Sequence, residues 1–195
     1  GEAFVIRDDR PLDAHGFALR INDEEYRLLA KLESAENCVC LKERADFALG
    51  IVTGDNKRYL SNECLDGMEP VVTGSDVYRY RYQDSGKYVD PNLALYQQAA
   101  PAKLYRAPEK LIYRFINRQL VFAYDDRQRL TLNSCNVVIP RVERLDMKYI
   151  MAVLNSRVAQ YMYEKRYHVV KVLRSHIESI PIPLADVRSQ QEIIQ

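Results

Sequence analysis

The 195-residue chain is long enough to bury a substantial core, and 47% of it is hydrophobic, which favours a folded protein over a disordered one. No apolar run approaches the roughly 20 residues of a membrane-spanning helix, and no signal-peptide pattern opens the chain. We therefore expect a cytoplasmic protein without membrane contact. Because the chain begins Gly1-Glu2-Ala3 without an initiator Met, we expect it to be a piece of a longer protein.

The net charge of +1 conceals an asymmetry between the two halves of the chain. Residues 1–100 hold 12 Lys and Arg against 18 Asp and Glu, a balance of −6. Residues 101–195 hold 16 against 9, a balance of +7. A basic half is typical of a protein that binds nucleic acid, and an uneven solvated surface is the alternative.

The cysteines and histidines lack the spacing of a metal site. The sequence has one Cys-x-Cys, no Cys-x-x-Cys, and no His at a zinc-finger distance. His168 and His176 lack a third ligand, which favours surface polar positions. A buried strand over residues 38–41 explains two of the cysteines. We predict no metal and free thiols for Cys38, Cys40, Cys64 and Cys135.

The first elements in chain order are predicted to have a structural role only. Residues 4–6 are compatible with a short strand. Asn22 can begin a helix, because its side chain can cap and Glu25 can complete a capping box. The buried stripe of this helix is predicted to contain Tyr26, Leu28, Leu29 and Leu32.

Two similar polar segments follow predicted strands. Residues 47–60 predict a strand that breaks at Gly54 into a polar loop and then resumes. The Thr53-Gly54 pair recurs as Thr73-Gly74 after residues 70–72. Such loops could offer hydrogen-bond donors to a phosphate or a base edge, and an ordinary hairpin loop is the alternative.

Tyrosines and arginines alternate just after the second segment. In a strand, Tyr78, Tyr80 and Tyr82 would share one face, and Arg79 and Arg81 would share the other. This pattern suits a surface that contacts a nucleic-acid backbone. Tyrosines packed on the core with solvated arginines are the alternative.

The strongest strand pattern coincides with the densest basic charge. Residues 110–116 and 119–124 are rich in apolar and aromatic side chains, and Arg114 and Arg118 interrupt them. Residues 125–128 favour a turn, after which the extended pattern resumes to Ile139. The pattern predicts three strands whose arginines project from one side of a sheet.

The last third of the chain predicts helices. Asp146 begins a helix with a broad buried face, which runs through Val153, Leu154 and Val158 to Met162. Asp186 begins a final helix after an extended stretch at residues 180–183.

These segments together resemble a known family. In order they read GIVTGDNKRYL, PVVTGSDVYRYRY, PEKLIYRFI with LVFAYDD, KYIMAVLNSRVAQYMY and KVLRSHIESIPIPLADVRSQQEI. The order and spacing resemble the TaqI-like C-terminal specificity domain, a target recognition domain of restriction-modification enzymes related to type I specificity subunits. The resemblance covers residues 41–191.

The resemblance implies a mixed α/β (α+β) fold, a mostly antiparallel twisted sheet with flanking helices. It divides the chain into a lead-in with a scaffold helix at residues 1–40, a target recognition domain at 41–183 and the start of a spacer helix at 184–195.

The resemblance also implies sequence-specific recognition of double-stranded DNA. The chain would position an upstream adenine methyltransferase domain, often with a nuclease. An adenine methyltransferase of this class needs an Asn-Pro-Pro-aromatic turn to hold the flipped adenine and a Gly-x-Gly loop to hold its cofactor. None of the eight prolines here adjoins another, and the glycines form no Gly-x-Gly, so this chain itself is predicted not to be an enzyme. We expect no cofactor here; S-adenosylmethionine and magnesium belong to the parent's other domains.

The candidate DNA contacts combine cations for phosphates, arginine for guanine and asparagine for adenine. They are Thr53, Asp55, Asn56, Lys57, Arg79, Arg81, Lys110, Arg114, Arg118, Asn133, Arg141, Lys165 and Lys171.

Two alternatives come from other classes. A metal-dependent nuclease could use Asp46 and Asp55 to hold magnesium, with Lys57 assisting the attacking water. A protein-interaction module could dock a partner subunit through the sheet and the final helix. Magnesium-dependent DNA nicking would support the first, and binding that does not respond to salt would support the second.

Overall fold

A computed structural model describes residues 21–167 and 169–195 of the chain. The predicted strand at residues 4–6 and the predicted position of His168 lie outside the described residues. The helices are α1 Asp23–Glu33, α2 Asn56–Tyr59, α3 Ala102–Tyr105, α4 Met147–Leu154, α5 Arg157–Arg166, α6 Arg174–Glu178 and α7 Val187–Ile194. The strands are β1 Cys38–Val39, β2 Ala45–Ala48, β3 Glu69–Val72, β4 Val77–Tyr78, β5 Arg81–Tyr82, β6 Tyr88–Val89, β7 Lys110–Arg114, β8 Phe122–Asp125, β9 Leu130–Thr131, β10 Cys135–Pro140 and β11 Ile182–Pro183.

The main sheet is antiparallel and has the strand order β2-β10-β7-β8. One of its faces contributes Leu111 and Phe122 to the large core cluster, which also includes Leu154 of α4. The other face contributes Ile112 and Ala123 to a second, smaller cluster. Because both faces are covered, these strands are almost continuously apolar. The structure confirms the predicted mixed α/β class with antiparallel sheets and flanking helices.

The prediction that arginines project from one face of this sheet is wrong. Lys110, at the start of β7, is fully buried, and Arg114, at the end of β7, is half-buried. Arg118 lies in the connection after β7, and Arg141 follows β10. A short apolar run with an occasional arginine does not reveal whether the second face of a strand meets water or another layer.

A second sheet runs beside the first in the order β6-β3-β9. Here β3 is parallel to β9, with Val72 opposite Thr131. Ile51 makes a further parallel bridge to Leu132. Parallel strands end at the same edge of a sheet, so the chain leaves this sheet at one edge after residues 52, 72 and 132.

Local signals predicted the first and last helices correctly. Asn22 and Glu25 form the predicted capping box of α1, and Asp186 accepts a hydrogen bond from the Ser189 N–H at the start of α7. In α1, however, only Leu29 of the predicted stripe is fully buried, and Leu28 is 45% exposed. The predicted domain division stays a prediction.

Two predicted elements differ from the observed ones because polar side chains bond to backbone N–H groups and begin new helices there. The strand expected to resume after Gly54 is the short helix α2, since the Asp55 carboxylate caps it. The long helix expected from Asp146 breaks at Asn155 into α4 and α5, and Ser156 caps α5. As a result Val158, expected in the buried face, is 52% exposed.

The predicted surface position of His176 is also wrong, because this residue is buried. Its ring stacks on Tyr167, with a centroid distance of 3.9 Å, and its Nδ1 accepts a hydrogen bond from the Leu173 N–H at 3.2 Å.

Asn155 acts as a bridge between the α4–α5 corner and the outer strand of the main sheet. Its side-chain amide accepts from the Phe122 N–H and donates to the Phe122 carbonyl oxygen, each at 2.9 Å. We expect Asn155→Ala to lower the free energy of unfolding by about 2 kcal/mol, because both buried backbone groups lose a partner. Urea denaturation measures the change. Asn37→Ala is the control, because the exposed Asn37 amide donates to a single carbonyl, that of Leu184, and should lose much less.

Candidate nucleic-acid interface

Loops that leave the second sheet at its shared edge are joined by hydrogen bonds. The Gly74 N–H donates to Ser134 Oγ at 2.8 Å, and the Asn133 N–H donates to the Ile51 carbonyl at 3.0 Å. The connection between β7 and β8 continues this surface, because the Phe115 N–H donates to the Ser134 carbonyl at 3.0 Å. We call the surface formed by residues 53–58, 73–82, 114–118, 133–134 and 169–171 the loop edge.

The two Thr-Gly segments have the same internal contact. Thr53 Oγ1 donates to Asn56 Oδ1 at 2.6 Å, and Thr73 Oγ1 donates to Asp76 Oδ2 at 2.5 Å. Both threonines are buried. The recurrence in the sequence therefore reflects a repeated loop structure. Thr53, a predicted DNA contact, instead stabilises its own loop, because its hydroxyl is buried and already bonded.

The Asp55 carboxylate is also occupied. It accepts hydrogen bonds from the N–H groups of Lys57 and Arg58 at 3.0 and 3.2 Å, and so begins α2. This cap orients α2 and leaves the side chains of Asn56 and Lys57 exposed at the loop edge. Of the predicted contacts in this segment, Asp55, Asn56 and Lys57 are exposed, and Asp55 is the one that caps the helix.

The alternating tyrosines and arginines form a hairpin rather than one strand. β4 pairs with β5, so Tyr78 lies opposite Arg81 and the chain turns through Arg79 and Tyr80. Tyr80 has a positive φ of 74°, a conformation that breaks the alternation of a strand. Tyr78 and Tyr80 are therefore exposed, whereas Tyr82 points inward and donates to Asp125.

Two arginines lie against the exposed ring of Tyr78. The guanidinium carbons of Arg81 and Arg114 are 5.5 and 5.6 Å from the ring centroid, within the range of cation–π attraction. Arg114 Nε also donates to the Val77 carbonyl at 2.7 Å. Arg114 therefore reaches from the end of β7 to the hairpin and joins it to the main sheet.

The far part of the loop edge brings Arg118 and Lys171 into the same surface. The Asn117 N–H donates to the Val170 carbonyl at 2.9 Å. The Lys171 ammonium lies over the Phe115 ring, 5.8 Å from its centroid. Arg118 and Lys171 are both exposed.

The cations of the loop edge have no acidic partner in the part of the chain that the structure describes. Within the described residues none of them forms a salt bridge, whereas several Lys and Arg side chains away from the edge do. The two acids of the edge, Asp55 and Asp76, both accept from backbone N–H groups of their own loops. The edge is therefore electropositive. Its cations are Lys57, Arg58, Arg79, Arg81, Arg114, Arg118 and Lys171.

Three predicted contacts lie away from the loop edge. Lys110 is fully buried in an ion pair with Asp125, so it cannot reach a duplex. Burial lowers the pKa of Lys110, and Asp125 opposes this shift. Lys165 pairs with Glu25 of α1, whose carboxylate raises the pKa of Lys165.

Arg141 is the third, and it pairs with Asp46. It follows Pro140, at the end of β10 opposite to Cys135 and the loop edge. A six-residue strand spans roughly 20 Å, so Arg141 is far from the other candidates.

The same geometry contradicts the nuclease alternative. Asp46 lies beside Arg141, and Asp55 lies on the loop edge, where it caps α2. Among residues 21–167 and 169–195, no three His, Cys, Asp or Glu side chains lie close enough together to hold a metal ion. The two acids therefore do not form a magnesium site.

The accessible residues at the edge include some that are not among the predicted contacts, such as Arg58 and Ser75. Ser75 is exposed between the buried Gly74 and the half-buried Asp76. The recurrence of Thr-Gly could have pointed to Ser75, because it occupies the position that Asp55 holds in the first segment.

In the part of the chain that the structure describes, no helix has the length and apolar character to cross a membrane.

Unpaired cations, exposed tyrosines and polar loops are gathered on one surface, a composition typical of a nucleic-acid interface. The chain belongs to the TaqI-like C-terminal specificity domain family, whose sequence model matches residues 69–182. It is a DNA sequence-specificity domain of restriction-modification systems, and such domains recognise DNA without catalysing a reaction. The predicted resemblance is confirmed.

Solved structures share the fold. The HsdS subunit from Thermoanaerobacter tengcongensis superposes with a TM-score of 0.53 at 14% identity, over 88% of this chain and 41% of that one. A structure described as the basis of complex assembly and conformational transition of the type I R-M system has a TM-score of 0.50 at 13% identity, over 88% of this chain and 45% of that one. This chain thus spans less than half of either. No curated protein matches it significantly.

Proposed function

We propose that the loop edge reads a short sequence in double-stranded DNA. One observation carries this proposal: within the described residues, the loop edge collects cations without acidic partners, and its two acids accept from backbone N–H groups of their own loops. Unpaired Lys and Arg side chains attract phosphates, and their binding releases counterions from the duplex. Phosphate contacts of this kind position the domain on the duplex.

Sequence discrimination is assigned to the hairpin β4–β5 and the two adjacent loops. The major groove of B-DNA admits a two-stranded ribbon, and β4–β5 is a narrow ribbon that carries Arg79 and Arg81 at its end. Asn56 and Asn133 are exposed beside it. Arginine suits guanine and asparagine suits adenine, so these four side chains are the proposed readers of base edges.

The proposed role in the parent protein is to place a catalytic domain on its site. That domain would be an adenine methyltransferase upstream of this chain, alone or with a nuclease. Recognition energy from the loop edge would offset the few kcal/mol needed to rotate an adenine out of the stack. The sequence has no Gly-x-Gly to hold S-adenosylmethionine, and we propose that neither this cofactor nor magnesium binds this chain. Both are assigned to the parent's other domains.

The test is to select duplexes from a random pool with this chain and to compare their affinity with that of scrambled duplexes. We expect tighter binding to the selected sequence, and a logarithm of affinity that falls linearly with the logarithm of salt concentration. Equal affinity for all duplexes would contradict sequence reading. Binding to a protein partner that does not respond to salt, with no DNA binding, would favour the interaction module instead.

Arg118 and Arg141 form a matched pair for locating the interface. Both are exposed arginines near strands of the main sheet, but they lie at opposite ends of it. We expect Arg118→Ala to weaken binding to all duplexes and to reduce the salt slope by about 1, the change expected for one lost phosphate contact. Arg141→Ala should change neither quantity. Fluorescence anisotropy titrations at several salt concentrations measure both, and an equal effect of the two substitutions would place the interface elsewhere.

A further inference from the structure

A buried polar network lies directly beneath the proposed reading hairpin. Its centre is Asp125, at the end of β8, whose side chain is 0% exposed. The carboxylate pairs with Lys110 Nζ and accepts from the Tyr82 hydroxyl at 2.6 Å. It also accepts from the N–H groups of Arg127 and Arg129, each at 3.1 Å. One carboxylate therefore joins β7, β8, the following turn and the hairpin.

Stability alone is a weak reason for such a network. Removing two charges from water costs several kcal/mol per ion, and well-packed apolar residues of similar volume often stabilise a protein as well or better. Buried polar groups can instead select one conformation among several, because each requires its partner in a defined place. The conformation selected here is that of the hairpin, because Tyr82 is the group that the hairpin contributes.

Tyr82 controls the direction of the adjacent reader. Successive side chains of a strand point to opposite sides, so the inward Tyr82 turns Arg81 outward onto the loop edge. On the β8 side an open cleft lined by Tyr80, Arg81 and Tyr124 lies beside the hairpin. The backbone of the turn is fixed on β8, because the Tyr80 N–H donates to the Phe122 carbonyl at 2.8 Å. The Tyr82 hydroxyl adds a side-chain hydrogen bond that fixes β5 to the buried Asp125.

We propose that Tyr82, held by Asp125 and Lys110, is a positioning residue for sequence discrimination that acts through Arg81. This inference rests on the proposed function. Burial and the neighbouring Asp125 raise the pKa of the Tyr82 hydroxyl far above its usual range, so it remains a donor to the carboxylate at neutral pH.

The test is Tyr82→Phe, which removes one hydroxyl and keeps the ring. The measured quantity is the ratio of affinities for a selected duplex and a scrambled duplex of equal length. We expect this ratio to fall about tenfold, the effect of one misplaced base contact. The affinity for the scrambled duplex and the salt slope should not change, because the phosphate contacts remain. A merely structural role would lower both affinities together and leave the ratio unchanged.

Tyr163→Phe is the matched control. The Tyr163 hydroxyl is buried and has no hydrogen-bond partner within the described residues, and the residue lies in α5, away from the hairpin. This substitution should leave the ratio at the wild-type value. A tenfold fall in the control as well would overturn the inference, because the ratio would then respond to any lost buried hydroxyl.

A double-mutant cycle tests the route through Arg81. If Tyr82 acts by orienting Arg81, then Tyr82→Phe should reduce the ratio no further when Arg81→Ala is already present. Fully additive losses would overturn the inference. The proposed function fails separately, and in a distinguishable way, if the wild-type chain shows no preference for the selected duplex. If the wild type discriminates and Tyr82→Phe discriminates equally well, only the positioning role is overturned.

Discussion

Replacing Lys110 with Met should lower the free energy of unfolding by about 3–5 kcal/mol, the largest stability effect expected in this protein. Lys110 and Asp125 are both 0% exposed, and Met has nearly the length of the Lys side chain without its charge. The substitution leaves the Asp125 carboxylate buried without its ion-pair partner, while the backbone and Tyr82 donors remain. Urea denaturation followed by circular dichroism measures the loss.

The double variant Lys110→Met, Asp125→Leu separates charge from packing. It removes both charges, so it should recover part of the stability that Lys110→Met loses. The recovery should be incomplete, because the Tyr82 hydroxyl and the Arg127 and Arg129 N–H groups lose their acceptor. A double variant less stable than the single one would contradict an unpaired buried charge as the cause.

Gly50→Ala should produce the second large effect, a loss of about 3 kcal/mol in the free energy of unfolding. A Cβ on Gly50 would overlap the carbonyl oxygens of Leu132 and Cys135. These atoms belong to the backbone and cannot rotate away, so the chain near Ile51 must separate from the segment that contains Asn133. We therefore also expect the substitution to weaken sequence discrimination, since both segments lead into the loop edge.

Gly86→Ala is the control for Gly50→Ala. Gly86 has a φ of +66° and no atom within 4 Å of an added Cβ. Its substitution should cost only about 1–2 kcal/mol, the cost of a left-handed conformation in a residue with a side chain. If Gly86→Ala destabilises the protein as much as Gly50→Ala, then crowding against Leu132 is not the cause. Thermal and urea denaturation of both variants, with duplex binding of each, provide the comparison.

Short-range signals in the sequence were sufficient for several elements. Asn22 and Glu25 predicted the start of α1 because a capping box uses residues only three apart. The apolar runs predicted β7 and β8 as strands, and they are strands. The third predicted strand, which reached Ile139, is divided into β9 and β10, and these belong to different sheets. The order of the motifs was sufficient to indicate the family, which the match to residues 69–182 confirms.

Predictions that needed the surroundings of a strand or turn were wrong. Alternation of Tyr78 to Tyr82 predicted a single strand, but Tyr80 takes a positive φ and the chain reverses. The basic strands predicted a cationic sheet face, but a second layer covers that face with Val72 and Val77. Neither the reversal nor the covering layer has a signal within the residues concerned, because both depend on segments that pack from elsewhere.

The sequence by itself determined the family, the caps, most strands and the basic character of the second half. Only the tertiary structure decided which of the predicted contacts are exposed without an acidic partner. Arg141 and Lys165 have the same residue types as the accessible candidates, but their acidic partners are 95 and 140 residues away in the chain. Electrostatic pairing depends on distance in space, and the fold sets that distance.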